Sequence, residues 1–155
     1  MKNIQMPLAA AALALISATG FAADAPSQKE AEVVAIVKKA VAHLKAKGVD
    51  AACKDFADPA KGFQSAELYL FVEDMNATMI CNIANAKLNG KSMKELKDSN
   101  GKAFNKDLIE VAQKKGSGWV DYVWVNPANQ KLQPKSSYVE GTGDYMVGMG
   151  IFKDK

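Results

Sequence analysis

None of the 155 residues is an arginine, and only one, His43, is a histidine. All 20 basic residues are therefore lysines. Without arginine the chain has no planar fork to grip phosphate, guanine or carboxylate at two points at once. A single imidazole gives neither a histidine-based zinc cluster nor a choice of base for a nucleophilic triad. Cysteine is almost as scarce. Cys53 and Cys81 are the only two, and they form neither a Cys-x-x-Cys redox pair nor a haem-attachment motif. A net charge of +3, scattered along the chain, is too small a basic excess to mark a nucleic-acid surface. These gaps predict a protein that is not an enzyme, needs no cofactor or metal and does not bind nucleic acid.

Long hydrophobic runs are also lacking. Crossing a bilayer takes roughly 20 apolar residues, and the nearest stretch, Leu8 to Ile16, falls well short. It follows Lys2 and precedes Gly20-Phe21-Ala22. A positive end, a short apolar stretch and small residues in that order predict a secretory signal over residues 1–22, cleaved after Ala22. Residues 23–155 are then one exported domain, since 48% hydrophobic and 24% charged residues suit a single globular core. In an oxidising periplasm, Cys53 and Cys81 can pair, closing a loop worth roughly 3–4 kcal/mol. They can equally remain two buried thiols, because spacing does not reveal whether their Cα atoms come within bridging distance.

What is present reads as alternating helix and strand. Val33, Ile36, Val37, Ala40, Val41 and Leu44 recur at three- and four-residue steps, predicting a helix from Lys29 to Lys47. Ser27 and Glu30 have capping-box spacing, and Gly48 ends the helix. His43, at the edge of the stripe, is expected to be a half-buried helix residue. A shorter helix over Val49 to Phe56 should stop at Asp58-Pro59. Glu67 to Glu73 reads as a strand, Asp74 to Asn76 as a turn and Ala77 to Asn82 as the returning strand. Leu68, Leu70 and Val72 fall on one face of that hairpin, with Tyr69 and Phe71 on the other. A loop covers Ile83 to Ser92, and Ser92 is expected to cap one helical turn. A helix follows over Phe104 to Lys115, then strands over Trp119 to Asn126, Lys135 to Glu140 and Tyr145 to Lys153. On the first of these, Tyr122 and Trp124 share a face. Short connections imply antiparallel neighbours, hence an α+β fold around a five-stranded antiparallel sheet.

Several stretches taken in order carry a family resemblance. They are the Glu67-Leu-Tyr-Leu-Phe-Val hairpin with Asp74-Met75-Asn76, Asn85-x-Lys87-Leu88-x-Gly90-Lys91, Asp98 to Lys102, Gly116-Ser-Gly118-Trp119-Val-Asp-Tyr122-x-Trp124, Pro134-Lys135-x-x-Tyr138 and Gly148-x-Gly150-Ile-Phe152. Together they resemble a single Cache domain of type 2 over nearly all of the chain from Lys29. The resemblance implies a PAS-like fold with a long N-terminal helix and further helices over the sheet. It also implies an extracellular sensor that binds small molecules, small organic acids prominent among them. Because no membrane-spanning segment follows the last strand, it implies a free-standing periplasmic form. Where the family often reads Gly-x-x-x-Ala-His-Pro-x-Asn-Pro, this chain has Ala77 for the glycine, Cys81-Asn82-Ile83 for Ala-His-Pro and Ala86 for the second proline.

The rings Tyr69, Phe71, Tyr122 and Trp124 could wall a pocket beneath the loop of residues 83–92, with the hydroxyl of Tyr138 as a further donor. A bound carboxylate would need a buried cation or other donors. Lys135 is the candidate ammonium, and Asn82, at the family's histidine position, is a weaker polar candidate. Lys135 and Tyr138 are three apart, so a regular strand points them to opposite faces; a bulge, or a strand starting after Lys135, would reconcile them. The expected ligand is an acid of the acetate, pyruvate or lactate class, with occupancy reported to a membrane kinase, chemoreceptor or transporter. The alternative is an interaction module with a vestigial pocket that docks on such a partner through its first helix.

Overall fold

A computed structural model describes residues 26–65 and 67–153; the expected signal segment lies outside the described residues. The expected α+β architecture is present. Five antiparallel strands, β1 (Leu70–Asp74), β2 (Met79–Asn82), β3 (Ser117–Val125), β4 (Leu132–Thr142) and β5 (Tyr145–Phe152), lie in the order β2-β1-β5-β4-β3. The chain's last strand thus sits at the centre of the sheet and joins the first hairpin to the second.

Helix α1 (Gln28–Lys47) has the expected start and stop. Ser27 Oγ accepts the Glu30 backbone N–H, Glu30 accepts that of Ser27 at 2.7 Å, and Gly48, at φ +78°, ends the helix. Its buried stripe of Val33, Val37, Ala40, Val41 and Leu44 packs with Leu68, Leu70, Val72, Val147 and Met149 on one face of the sheet. Helix α2 (Val49–Ala57) adds Ala52 and Phe56 to this core, and the Cys53–Cys81 disulfide ties it to β2. His43 lies between these helices, half-buried, with Nε2 2.7 Å from Asp55 Oδ2.

The opposite face carries α3 (Phe104–Glu110), continued by a π-helical turn over Val111–Lys115. Phe104, Leu108 and Ala112 pack there against Phe71, Met79, Val120, Tyr122, Val139 and Met146.

Two local expectations are corrected. Strand β1 begins at Leu70 rather than Glu67, because Ser65 and Leu68 close a turn just before it. Strand β2 begins at Met79 rather than Ala77. Asp74 Oδ1 collects the N–H groups of Asn76 and Thr78 and holds Ala77 at φ +62°, so the tight turn extends further than its composition suggested. Ser92 precedes a single turn closed by the Leu96 N–H on the Met93 carbonyl at 3.1 Å, and its Oγ accepts the Lys94 N–H at 3.4 Å, as expected; it also forms a bridge with Thr78 that straps the loop to the hairpin.

Candidate functional site

Strand alternation aims the site residues at the α3 face. Tyr69 and Phe71 arrive from the start of β1, Tyr122 and Trp124 from β3, and Lys135 from β4; all five line one cavity. Tyr122 stacks on Phe104 from α3 at a centroid distance of 4.3 Å, and Trp124 meets the same ring edge-on at 5.5 Å. Tyr122 Oη lies 2.9 Å from Ser137 Oγ in a buried hydroxyl pair. Burial raises the phenol pKa of both Tyr69 and Tyr122.

Lys135 is the unusual member. It is only 2% exposed in a chain whose other lysines are mostly solvated. Its ammonium donates to Tyr69 Oη at 2.8 Å and lies 4.2 Å from the Tyr69 ring centroid, 5.1 Å from that of Phe152 and 5.7 Å from that of Phe71. Among the described residues no carboxylate pairs with it. Burial alone brings its pKa down to about 7. A charge so placed is costly unless something anionic joins it.

The Gly148-x-Gly150 motif explains how the lysine and the Phe71 ring reach the site. Register places Gly148 beside Phe71 and Gly150 beside Ser137. A Cβ on Gly150 would lie 2.5 Å from Lys135 Cε, and one on Gly148 would collide with the Phe71 ring. The two glycines are thus a trough across the central strand in which the lysine stem and the ring lie flat.

Asn82 sits at the edge of the cavity with its side chain largely committed to the loop. Its Oδ1 accepts the N–H groups of Ala84 and Asn85, and its own N–H is taken by Asn89 Oδ1 at 2.8 Å. Tyr138 is not brought to the site. Strand β4 starts at Leu132 and runs regularly through Lys135 and Tyr138, so neither proposed escape from alternation applies. Tyr138 faces α1 instead, 5.5 Å from Trp119.

The roof of the cavity also differs from expectation. Phe104, Asn105, Leu108 and Met93 close it, while the loop of residues 83–92 borders a wider cleft outside. Tyr69, Asn82 and Trp124 line both spaces and divide them. The inner space is about 20 Å³, on the order of one or two waters; the lysine stem and the rings fill the rest.

Sequence reasoning missed Glu73, Asn105 and Ser137. Glu73, read only as the end of the first strand, is 1% exposed and lines the cavity. Asn105 Nδ2 donates to its Oε2 at 2.7 Å, and burial raises its pKa to about 7. The same alternation that pairs Tyr69 with Phe71 reaches Glu73, so its face was legible; its burial was not.

Comparison with known proteins agrees with this fold. A family model described as Cache domain matches residues 29–155. The methyl-accepting chemotaxis protein McpP of Pseudomonas putida is 26% identical over 88 residues, which is 56% of this chain but only 16% of that receptor. The chain therefore spans about a sixth of that relative's length. A methyl-accepting chemotaxis protein from Vibrio parahaemolyticus superposes with a TM-score of 0.69 at 28% identity, covering 81% of this chain and 89% of that one. The periplasmic sensor domain of a chemotaxis protein gives 0.71 at 26%, covering 81% and 96%. A Cache chemosensory domain solved for its recognition of carboxylic acid gives 0.68 at 25%, covering 81% and 94%.

Proposed function

Given that the chain belongs to the Cache domain family, we propose that it binds a small organic acid in the Lys135 cavity and senses it on behalf of a signalling partner. The observation that carries this reading is the buried Lys135 ammonium, which has a tyrosine hydroxyl for company and, among the described residues, no carboxylate partner. An entering carboxylate would supply the missing counter-charge, and Tyr69 Oη and the Tyr122–Ser137 hydroxyl pair would be its further donors. It would also restore the lysine's preference for its charged form. The tightness of the cavity means that the acid enters from the outer cleft by displacing Trp124, the half-buried ring at the divide.

Size limits affinity. The best small ligands gain about 1.5 kcal/mol per heavy atom, so acetate can reach roughly 6 kcal/mol, a dissociation constant of tens of micromolar. Pyruvate and lactate have more atoms to offer. The family consists of sensor modules, which supports binding rather than turnover as the activity. Export by the signal at residues 1–22 would place the domain in the periplasm, and a chemoreceptor is the partner that the chemotaxis relatives favour.

Thermal unfolding against a panel of C2 to C4 acids tests the reading. An acid at 100 times its dissociation constant should stabilise the native chain by about 2.7 kcal/mol. Lys135→Ala should remove that shift. If no acid moves the transition at millimolar concentration, the proposal fails.

A further inference from the structure

Besides its cationic end, the cavity contains a carboxyl group that carboxylate binding does not require. Lys135 is in register with Phe152 on β5, whereas Glu73 is in register with Met146, toward the other end of the same strand. Both side chains line the one cavity. Among the described residues only one oxygen of Glu73 is engaged, by the Asn105 amide at 2.7 Å. Among the described residues no side-chain polar atom is both fully buried and unpartnered. The second oxygen, which has no donor among the described residues, is therefore not sealed in solid packing, and the space that Glu73 lines is the cavity. The rest of that end is apolar: Met79, Met93, Leu108 and Phe104.

On the reading that Lys135 holds the acid's carboxylate, we infer that Glu73 recognises the other end of the ligand and selects short acids whose far carbon carries a hydrogen-bond donor, a hydroxyl or an ammonium. The reason is the cost of leaving a buried acceptor without a partner. An acid ending in a methyl group would cover that oxygen and give it nothing. An acid ending in a second carboxylate would set two like charges together in a space from which water is excluded. A donor end pairs the free oxygen, and an ammonium also leaves the occupied cavity with equal numbers of buried positive and negative groups. Asn105 is the positioning residue, since its amide holds the carboxyl with the second oxygen turned inward.

Four three-carbon acids that differ only at the far end test this: propionate (methyl), 3-hydroxypropionate (hydroxyl), β-alanine (ammonium) and malonate (carboxylate). Titration calorimetry at pH 7.5, on the native chain and on Glu73→Gln, reads the order of affinities. In the native chain the two donor-ended acids should bind at least about tenfold more tightly than propionate, and malonate at least about tenfold more weakly. In Glu73→Gln, β-alanine should lose its advantage and malonate should rise to within about threefold of propionate. The inference is overturned if propionate equals or exceeds the donor-ended acids in the native chain, or if the substitution leaves the order unchanged. The native order decides the matter even if the variant does not fold. Binding of propionate alone would sink the role of Glu73 and leave the acid site standing; no binding by any of the four would sink both.

Discussion

The two faces of the sheet follow opposite rules. Toward α1 the core is aliphatic and aromatic, tied to α2 and β2 by the disulfide and free of buried charge. Toward α3 the sheet buries a lysine, a glutamate, an asparagine and a hydroxyl pair among methionines and rings. The first face holds the fold, and the second bears groups that work against stability. Lys135 and Glu73 each give up solvation without a counter-ion, which a protein selected for stability alone would replace with hydrocarbon. The difference teaches that apolar packing on one side lets the other keep an uncompensated polar interior.

The contrast can be broken from either side. The largest effect is expected from Phe56→Ala beneath α1, which should cost about 3–5 kcal/mol in urea denaturation while any folded fraction keeps its acid-induced shift. Replacing Cys53 and Cys81 together by serine should cost roughly 3–4 kcal/mol on the loop-entropy model, again with the site intact. Lys135→Met should do the reverse, raising stability at pH 7 by about 1–2 kcal/mol and abolishing the response to acids.

The pH profile sharpens the same distinction. Glu73 holds its proton in the native state up to about 7, whereas the unfolded chain releases it near 4.5. Its contribution to stability is therefore lost as pH rises through that window. Lys135 is neutral in the native state above about 7, while the unfolded chain stays protonated to 10.5, so stability recovers as pH rises beyond 7. The two slopes meet in a shallow minimum near neutrality that the double variant Glu73→Gln, Lys135→Met should flatten, as measured by melting temperature across pH 4 to 10. The smallest effect belongs to the hairpin turn. Ala77→Gly relieves a left-handed alanine and should stabilise the fold by about 0.5–1 kcal/mol.

Much of this was legible in the chain. The valine and leucine stripe of α1, its Ser27–Glu30 box and its stop at Gly48 are local patterns that tertiary context did not override. Alternation placed Tyr69 with Phe71 and Tyr122 with Trp124, and among the 20 lysines Lys135 stood out by its place at a strand entry in Pro134-Lys135-x-x-Tyr138. The same rule, applied strictly, excludes Tyr138. Its inclusion rested on supposing that β4 started late or carried a bulge, and the strand does neither. Ser92 caps the turn that follows it, as a serine before a short polar run suggests, but its second role as bridge partner of the distant Thr78 was not legible.

Periodicity, capping and scarcity of residue types act within a few positions of the chain, so the sequence alone determined the helices, the strand faces and the exclusion of arginine-borne chemistry. Burial and meeting depend on which strands become neighbours. Only the central placement of β5, between the two hairpins, decided that Gly148 and Gly150 would clear a trough, that Lys135 would lie across it to Tyr69, that Glu73 would share its cavity and that Cys53 would find Cys81. Those contacts join residues far apart along the chain, and their energies exist only once the sheet has formed.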